Sequence, residues 1–245
     1  MAIVFLLLAF LAGSCVTTTQ ERIRKAEDKK RLGEAFYLQG NYTQALKVLL
    51  EAERLHPDDA ELHNDLGLVY RAKEKYDLAI VHFKKALAIN PGYAQAKNNL
   101  GWVYLDQKKW DKAIPIFEEL LEDLTYITPQ FPLFGLGWAY YNKKNYALSK
   151  QYYLKALKMD PKFIKALRGL GLTYKALGRI SEAISTLEKA VEISPQIPHL
   201  HYDLGQLYAL AGDGIKAREA YENVIKLVPH SALAAEAKKA LAGLK

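Results

Sequence analysis

Six histidines and one cysteine are the side chains best suited to metal or nucleophilic chemistry in this 245-residue chain. The histidines are His56, His63, His82, His199, His201 and His230. His199 and His201 are two apart, about 200° around a helix, so a regular helix cannot aim both at one ion. His63 and His201 fall at the same core position of an internal repeat, where packing accounts for them. A lone Cys15 excludes a disulfide framework and any thiolate-built zinc or iron–sulfur centre. The motifs HExxH, GxSxG and GxxxxGK[ST] are missing, and the many acidic residues fall mainly on solvated faces or at helix ends. The sequence therefore predicts no catalytic, cofactor or metal site and a non-enzymatic role.

Cys15 matters for its place rather than its reactivity. It follows the uncharged stretch MAIVFLLLAFLAGS, whose apolar run from Ile3 to Ala12 is half of the ~20 residues a membrane-spanning helix needs. A short apolar core followed by small residues reads as an export signal. The segment Leu11-Ala12-Gly13-Ser14-Cys15 resembles a bacterial lipobox. That resemblance implies that residues 1–14 are removed and that Cys15 is lipidated. Several acyl chains, at about 0.8 kcal/mol per buried CH₂, anchor a protein stably. Val16 at the sorting position implies the outer membrane, facing the periplasm, with 15–25 as a lipidated tether whose start, Val16 to Gln20, is polar. A plain cleaved signal with an incidental cysteine is the alternative.

The elements that position everything else repeat. Leu-Gly with an aromatic three residues after the Gly recurs at Gly33, Gly67, Gly101, Gly137, Gly171 and Gly205, spaced by 34 residues except for one interval of 36. Twelve residues beyond each Gly stands a small residue, Ala45, Ala79, Ala113, Ser149, Ala183 or Ala217. Pro57, Pro91, Pro161, Pro195 and Pro229 close five of the units. This pattern resembles the tetratricopeptide (TPR) repeat. The implied fold is all-α, a TPR superhelix (α-solenoid) of six helix-turn-helix repeats at 26–59, 60–93, 94–127, 130–163, 164–197 and 198–231, with a capping helix over 232–245. In each repeat the Leu, Gly and aromatic at positions 7, 8 and 11 share a helix face. The small residues at positions 8 and 20 are expected to let paired helix backbones approach, and Gly40, Gly178 and Gly212 to end first helices in the left-handed conformation. Pro115 is placed near a helix start, where a missing N–H is tolerated. The joint between repeats three and four carries two extra residues, with Thr125 in place of the closing proline.

Positions 2, 5, 9 and 12 of each first helix share a second face, the one that lines the concave groove of TPR superhelices. Repeat four fills it with Phe131, Phe134, Trp138 and Tyr141, and repeat three adds Trp102 and Leu105. Half-exposed, the four aromatics would present about 300–500 Å² of apolar surface, enough for a binding site. Repeat five offers Lys165, Arg168 and Lys175 on that face. The chain's net charge of +7 is asymmetric, with 17 basic against 9 acidic residues over 128–245. An exported chain does not meet nucleic acid, so the expected counter-charges are acidic protein segments or anionic envelope polymers. The Lys-plus-Asn clamp by which some TPR proteins grip a terminal carboxylate is not reproduced, because Glu34 and Leu68 hold position 9 in the first two repeats.

A lipobox, six repeats and the Tyr126-x-x-Pro129 joint together resemble the type IV pilus pilotin family of outer-membrane TPR lipoproteins. The resemblance implies a scaffold that binds the pilus secretin in its groove and helps it localise and multimerise, without cofactors. A general periplasmic TPR adaptor for secretion, polysaccharide or cell-wall machinery is the alternative.

Overall fold

The structure, a computed structural model, describes residues 2–123 and 126–244, with side chains from Thr18 onward. Cys15 and Thr125, on which two expectations rest, lie outside the described side chains. Among the described residues there are α-helices and no strands: α1 Ala2–Leu38, α2 Tyr42–Leu55, α3 Ala60–Ala72, α4 Tyr76–Ile89 and α5 Ala94–Asp106 in one compact unit, 1–108. A second unit, 109–245, holds α6 Trp110–Glu122, α7 Gln130–Asn142, α8 Tyr146–Met159, α9 Ile164–Ala176, α10 Ile180–Ile193, α11 Pro198–Leu210, α12 Gly214–Leu227 and α13 Ala232–Ala242. No helix among the described residues is long and apolar enough to cross a membrane.

Within each unit successive helices pack antiparallel, and each first helix also touches the first helix of the next repeat, as α1 touches α3 and α7 touches α9. The stretch read as a polar tether is part of α1. No Gly or Pro interrupts it between Gly13 and Gly33, and Glu21 pairs with Lys25 at 2.7 Å one turn on.

The glycine at position 8 has a different role from the expected one. A Cβ on Gly67 would meet the Phe83 ring at 2.5 Å, on Gly137 the Tyr153 ring at 2.6 Å, and on Gly205 the Tyr221 ring at 2.6 Å. The space is kept for the large side chain at position 24 of the partner helix, not for its backbone. Pro115 also departs from expectation: it lies inside α6, beyond the first turn. The helix persists there because Ala113, Ile114, Phe117 and Leu120 bury one continuous stripe.

All six hairpin turns use one geometry. Residue 15 of each repeat is left-handed: Gly40, Gly178 and Gly212 at φ of 75°, 73° and 79°, but also Glu74, Lys108 and Lys144 at 57°, 58° and 60°. After Gly40, Glu74, Lys144, Gly178 and Gly212 the next N–H reaches back to the carbonyl of the position-11 aromatic, as Asn41 N does to Phe36 O at 2.8 Å and Arg179 N to Tyr174 O at 2.9 Å. The capping helix α13 starts on Ser231, whose hydroxyl accepts from Ala234 N at 3.1 Å, and buries Ala234 and Ala237.

Candidate binding surfaces

In the second unit, α7 carries the expected aromatic face, but the structure divides it. Phe131 and Phe134 gather around Phe163, at ring separations of 5.7 and 5.3 Å, and Phe134 also touches buried Tyr153 at 5.8 Å. Phe134 is thereby largely structural, whereas Phe131 keeps 40% of its surface exposed. Trp138 stacks on Tyr141 at 6.2 Å, Tyr141 meets Tyr146 at 5.6 Å, and Trp138 remains 36% exposed. Trp138 and Phe131 are the rings of this face left exposed to a partner. Phe163 and Tyr146 lie outside the four positions that define the face, so spacing along one helix could not reveal them.

The basic group of repeat five is likewise not three free cations. Arg168 Nε donates to Asp203 Oδ2 at 2.6 Å, with the Asp203 side chain only 8% exposed. Lys175 Nζ donates to Gln206 Oε1 at 2.7 Å. Both partners sit on α11, the next first helix, so the cations tie repeats five and six together. Lys165 is exposed. Tyr141 lies close enough to the Arg168–Asp203 pair to feel both charges, and burial is the main cause that raises its hydroxyl pKa.

In the first unit, Trp102 is half-buried on α5. Leu105, expected on the groove face, is 3% exposed and belongs to the core. A leucine at position 12 gains about 1.5–3 kcal/mol by turning inward, more than an exposed place can return. The first two repeats frame a cavity of about 270 Å³ lined by Glu34, Tyr37, Leu38, Leu49, Asp65, Leu68 and Val69. Asp65 Oδ2 is buried without a donor. Burial first, then the Glu34 charge, pushes the Asp65 carboxyl up to about 7. The lining carries two carboxylates and neither lysine nor arginine, the reverse of a carboxylate clamp. Beside it, Lys30 reaches Asp59 at 3.0 Å and Glu61 at 2.7 Å, and Asn99 Nδ2 donates to Asn64 Oδ1 at 2.9 Å.

His63 is buried, as its core position in the repeat led us to expect, and it also belongs to one group of possible metal ligands among the described residues. His63 and His82 bring their Nδ1 atoms to 3.1 Å, with Glu53 Oε1 at 3.8 Å from His63 Nδ1. Burial pushes the His82 imidazole down to about 4, although Glu53 pulls the other way. Linear spacing hid the cluster, because its members come from three helices.

Sequence models described as the tetratricopeptide repeat match residues 58–125, 131–163 and 152–185, and one described as the TPR repeat matches 33–71 and 173–212. Among curated proteins, the chain is 29% identical over 91 residues to DnaJ homolog subfamily C member 7 of Homo sapiens; the match spans 37% of this chain and 18% of that protein. Among solved structures, PilW, described as a widely conserved type IV pilus biogenesis factor, superposes with a TM-score of 0.80 at 21% identity, covering 86% of this chain and 97% of its own. Pseudomonas aeruginosa pilF superposes with a TM-score of 0.75 at 21% identity, covering 89% and 99%. At such identities the likeness is one of fold.

Proposed function

The chain belongs to the tetratricopeptide repeat family, a family of protein-interaction scaffolds, and from that premise we propose that it is a lipid-anchored scaffold of the outer membrane, facing the periplasm, that assists assembly of the type IV pilus secretin. The observation that carries this reading is mutual coverage. PilW and pilF correspond to this chain over 97% and 99% of their lengths, so the likeness runs the length of those proteins and is not a local run of repeats. Cys15, placed after a short apolar run, supplies the anchor in this reading. The exposed Trp138 and Lys165 suit a partner segment with an apolar anchor followed by acidic residues.

Deleting the gene is expected to deplete heat-resistant secretin multimers and surface pili while secretin monomer persists. The Cys15→Ala variant is expected to lose palmitate labelling and to leave the outer-membrane fraction. Normal multimers in the deletion strain overturn the secretin role and leave the general periplasmic adaptor. A wild-type protein that takes up no palmitate overturns the anchor.

A further inference from the structure

The cluster on α2, α3 and α4 brings three ligand-type side chains within reach of one ion. Ligand atoms bonded to a zinc ion at about 2.0–2.1 Å lie about 3.3 Å apart. His63 Nδ1 and His82 Nδ1 are 3.1 Å apart, Glu53 Oε1 is 3.8 Å from His63 Nδ1, and one ligand atom from each residue lies within 4.8 Å of the others. The outer bond is in place too. His63 Nε2–H donates to Pro57 O at 2.8 Å, which fixes its tautomer and turns the Nδ1 lone pair into the cluster, as protein-bound metal sites usually arrange.

Repeat six provides an internal comparison. There His201 holds the same repeat position as His63, and its Nε2–H donates in the same way to Pro195 O at 2.7 Å. In the 34-residue register, however, Ala220 stands where repeat two has His82, and Val191 where repeat one has Glu53. Packing of a histidine at this position thus does not require a second imidazole, although Glu188 and Glu192 line the same pocket as His201. We propose that Glu53, His63 and His82 form a binding site for a zinc-class divalent cation, with two nitrogen donors, one oxygen donor and a fourth position for water. The ion would staple the first two repeats together, since Glu53 comes from repeat one and both imidazoles from repeat two.

Binding balances without a net proton change. In the pair without the ion, His82 Nδ1–H donates to His63 Nδ1. On binding, that proton moves through solvent to His82 Nε2, and both Nδ1 lone pairs face the cation. Lys85 Nζ, 3.2 Å from Glu53 Oε1 and half exposed, competes for the carboxylate and must swing outward.

The test titrates the purified full chain, held in detergent, with Co²⁺ and then Zn²⁺. One equivalent of Co²⁺ should give the intense visible absorption of a four-coordinate ion, and Zn²⁺ should displace it. Glu53→Gln and His82→Phe should each weaken zinc binding by at least about a hundred-fold, more than loss of an outer-shell partner commonly does. His201→Phe should leave it unchanged, and Lys85→Met should tighten it several-fold. If His82→Phe does not fold, Glu53→Gln decides alone, because its side chain is 22% exposed and lies at the edge of the core. Six-coordinate Co²⁺ spectra, or wild-type affinity in Glu53→Gln, would overturn the site and leave a hydrogen-bonded histidine pair.

Discussion

Tyr153 occupies the space that a side chain on Gly169 would need: a Cβ there would stand 2.4 Å from the ring Cζ. The same ring also closes on Gly137, so one tyrosine on α8 packs against first helices of two successive repeats. Its hydroxyl is buried with no partner, and burial raises its pKa. Two opposite outcomes follow from this one contact. Gly169→Ala should lower stability by about 1–3 kcal/mol, since the clamped ring has nowhere to turn. Tyr153→Phe should raise it by about 1 kcal/mol, by removing an unsatisfied buried hydroxyl while keeping the ring. Urea midpoints read both, and an unchanged Gly169→Ala midpoint would refute the clamp.

The turns make a second prediction. Glu74 and Lys144 adopt the conformation that Gly40, Gly178 and Gly212 adopt without steric penalty. Glu74→Gly and Lys144→Gly should therefore stabilise by up to about 1 kcal/mol, the left-handed penalty less the added chain entropy. Gly178→Ala, whose Cβ would meet nothing within 4 Å, should destabilise by a similar amount for backbone reasons alone. Thermal midpoints moving the other way would show that the turns are not strained.

The repeats were legible because their signals are local. A Leu-Gly-x-x-aromatic run sets one helix face, and a closing proline marks each boundary. What stayed hidden depends on the offset between neighbouring repeats. Position 5 of one first helix meets position 6 of the next, which produces Asn64–Asn99 and Arg168–Asp203. At that offset the joint of repeats four and five carries Phe134 and Gly169, and the glycine admits Tyr153. Lys165 and Arg168 look alike along α9, but only the second has a carboxylate waiting on α11. The left-handed turns at Glu74, Lys108 and Lys144 lacked the glycine that would have announced them.

Asp65 gives the first unit a pH dependence of definite sign. Its carboxyl titrates near 4 when unfolded and is raised to about 7 in the fold by burial and then Glu34. Between those values the native state holds a proton that the unfolded state has released, so stability falls as pH rises from about 4 to 7 and is flat above. Asp65→Asn removes this loss. Its stability relative to wild type should grow across that window, and Glu34→Gln should recover part of the gain. Urea midpoints at about pH 4.5 and pH 8 provide the check, and an Asp65→Asn difference that does not change with pH would sink the idea.

The last prediction concerns which residues touch the partner, and it rests on the proposed secretin role. Phe134 packs on both Tyr153 and Phe163, so Phe134→Ala should unfold part of the second unit and say little about binding. Arg168→Glu should also act through the fold. It leaves the poorly exposed Asp203 facing a second carboxylate, a loss of ~1–3 kcal/mol after allowance for the half-exposed arginine. Lys165 is exposed, and Trp138 combines a stack on Tyr141 with an exposed surface. Trp138→Ala should stay folded with a modest drop in melting temperature from the lost Tyr141 stack, and weaken capture of purified secretin about tenfold or more at every salt concentration, because a desolvated aromatic anchor commonly contributes 2 kcal/mol or more. Lys165→Glu should slow association mainly at low ionic strength, where screening is least. The control is Lys189→Glu with Lys226→Glu, on the second helices α10 and α12. If that pair weakens capture as much as Trp138→Ala does, the partner uses the opposite face and the groove assignment fails.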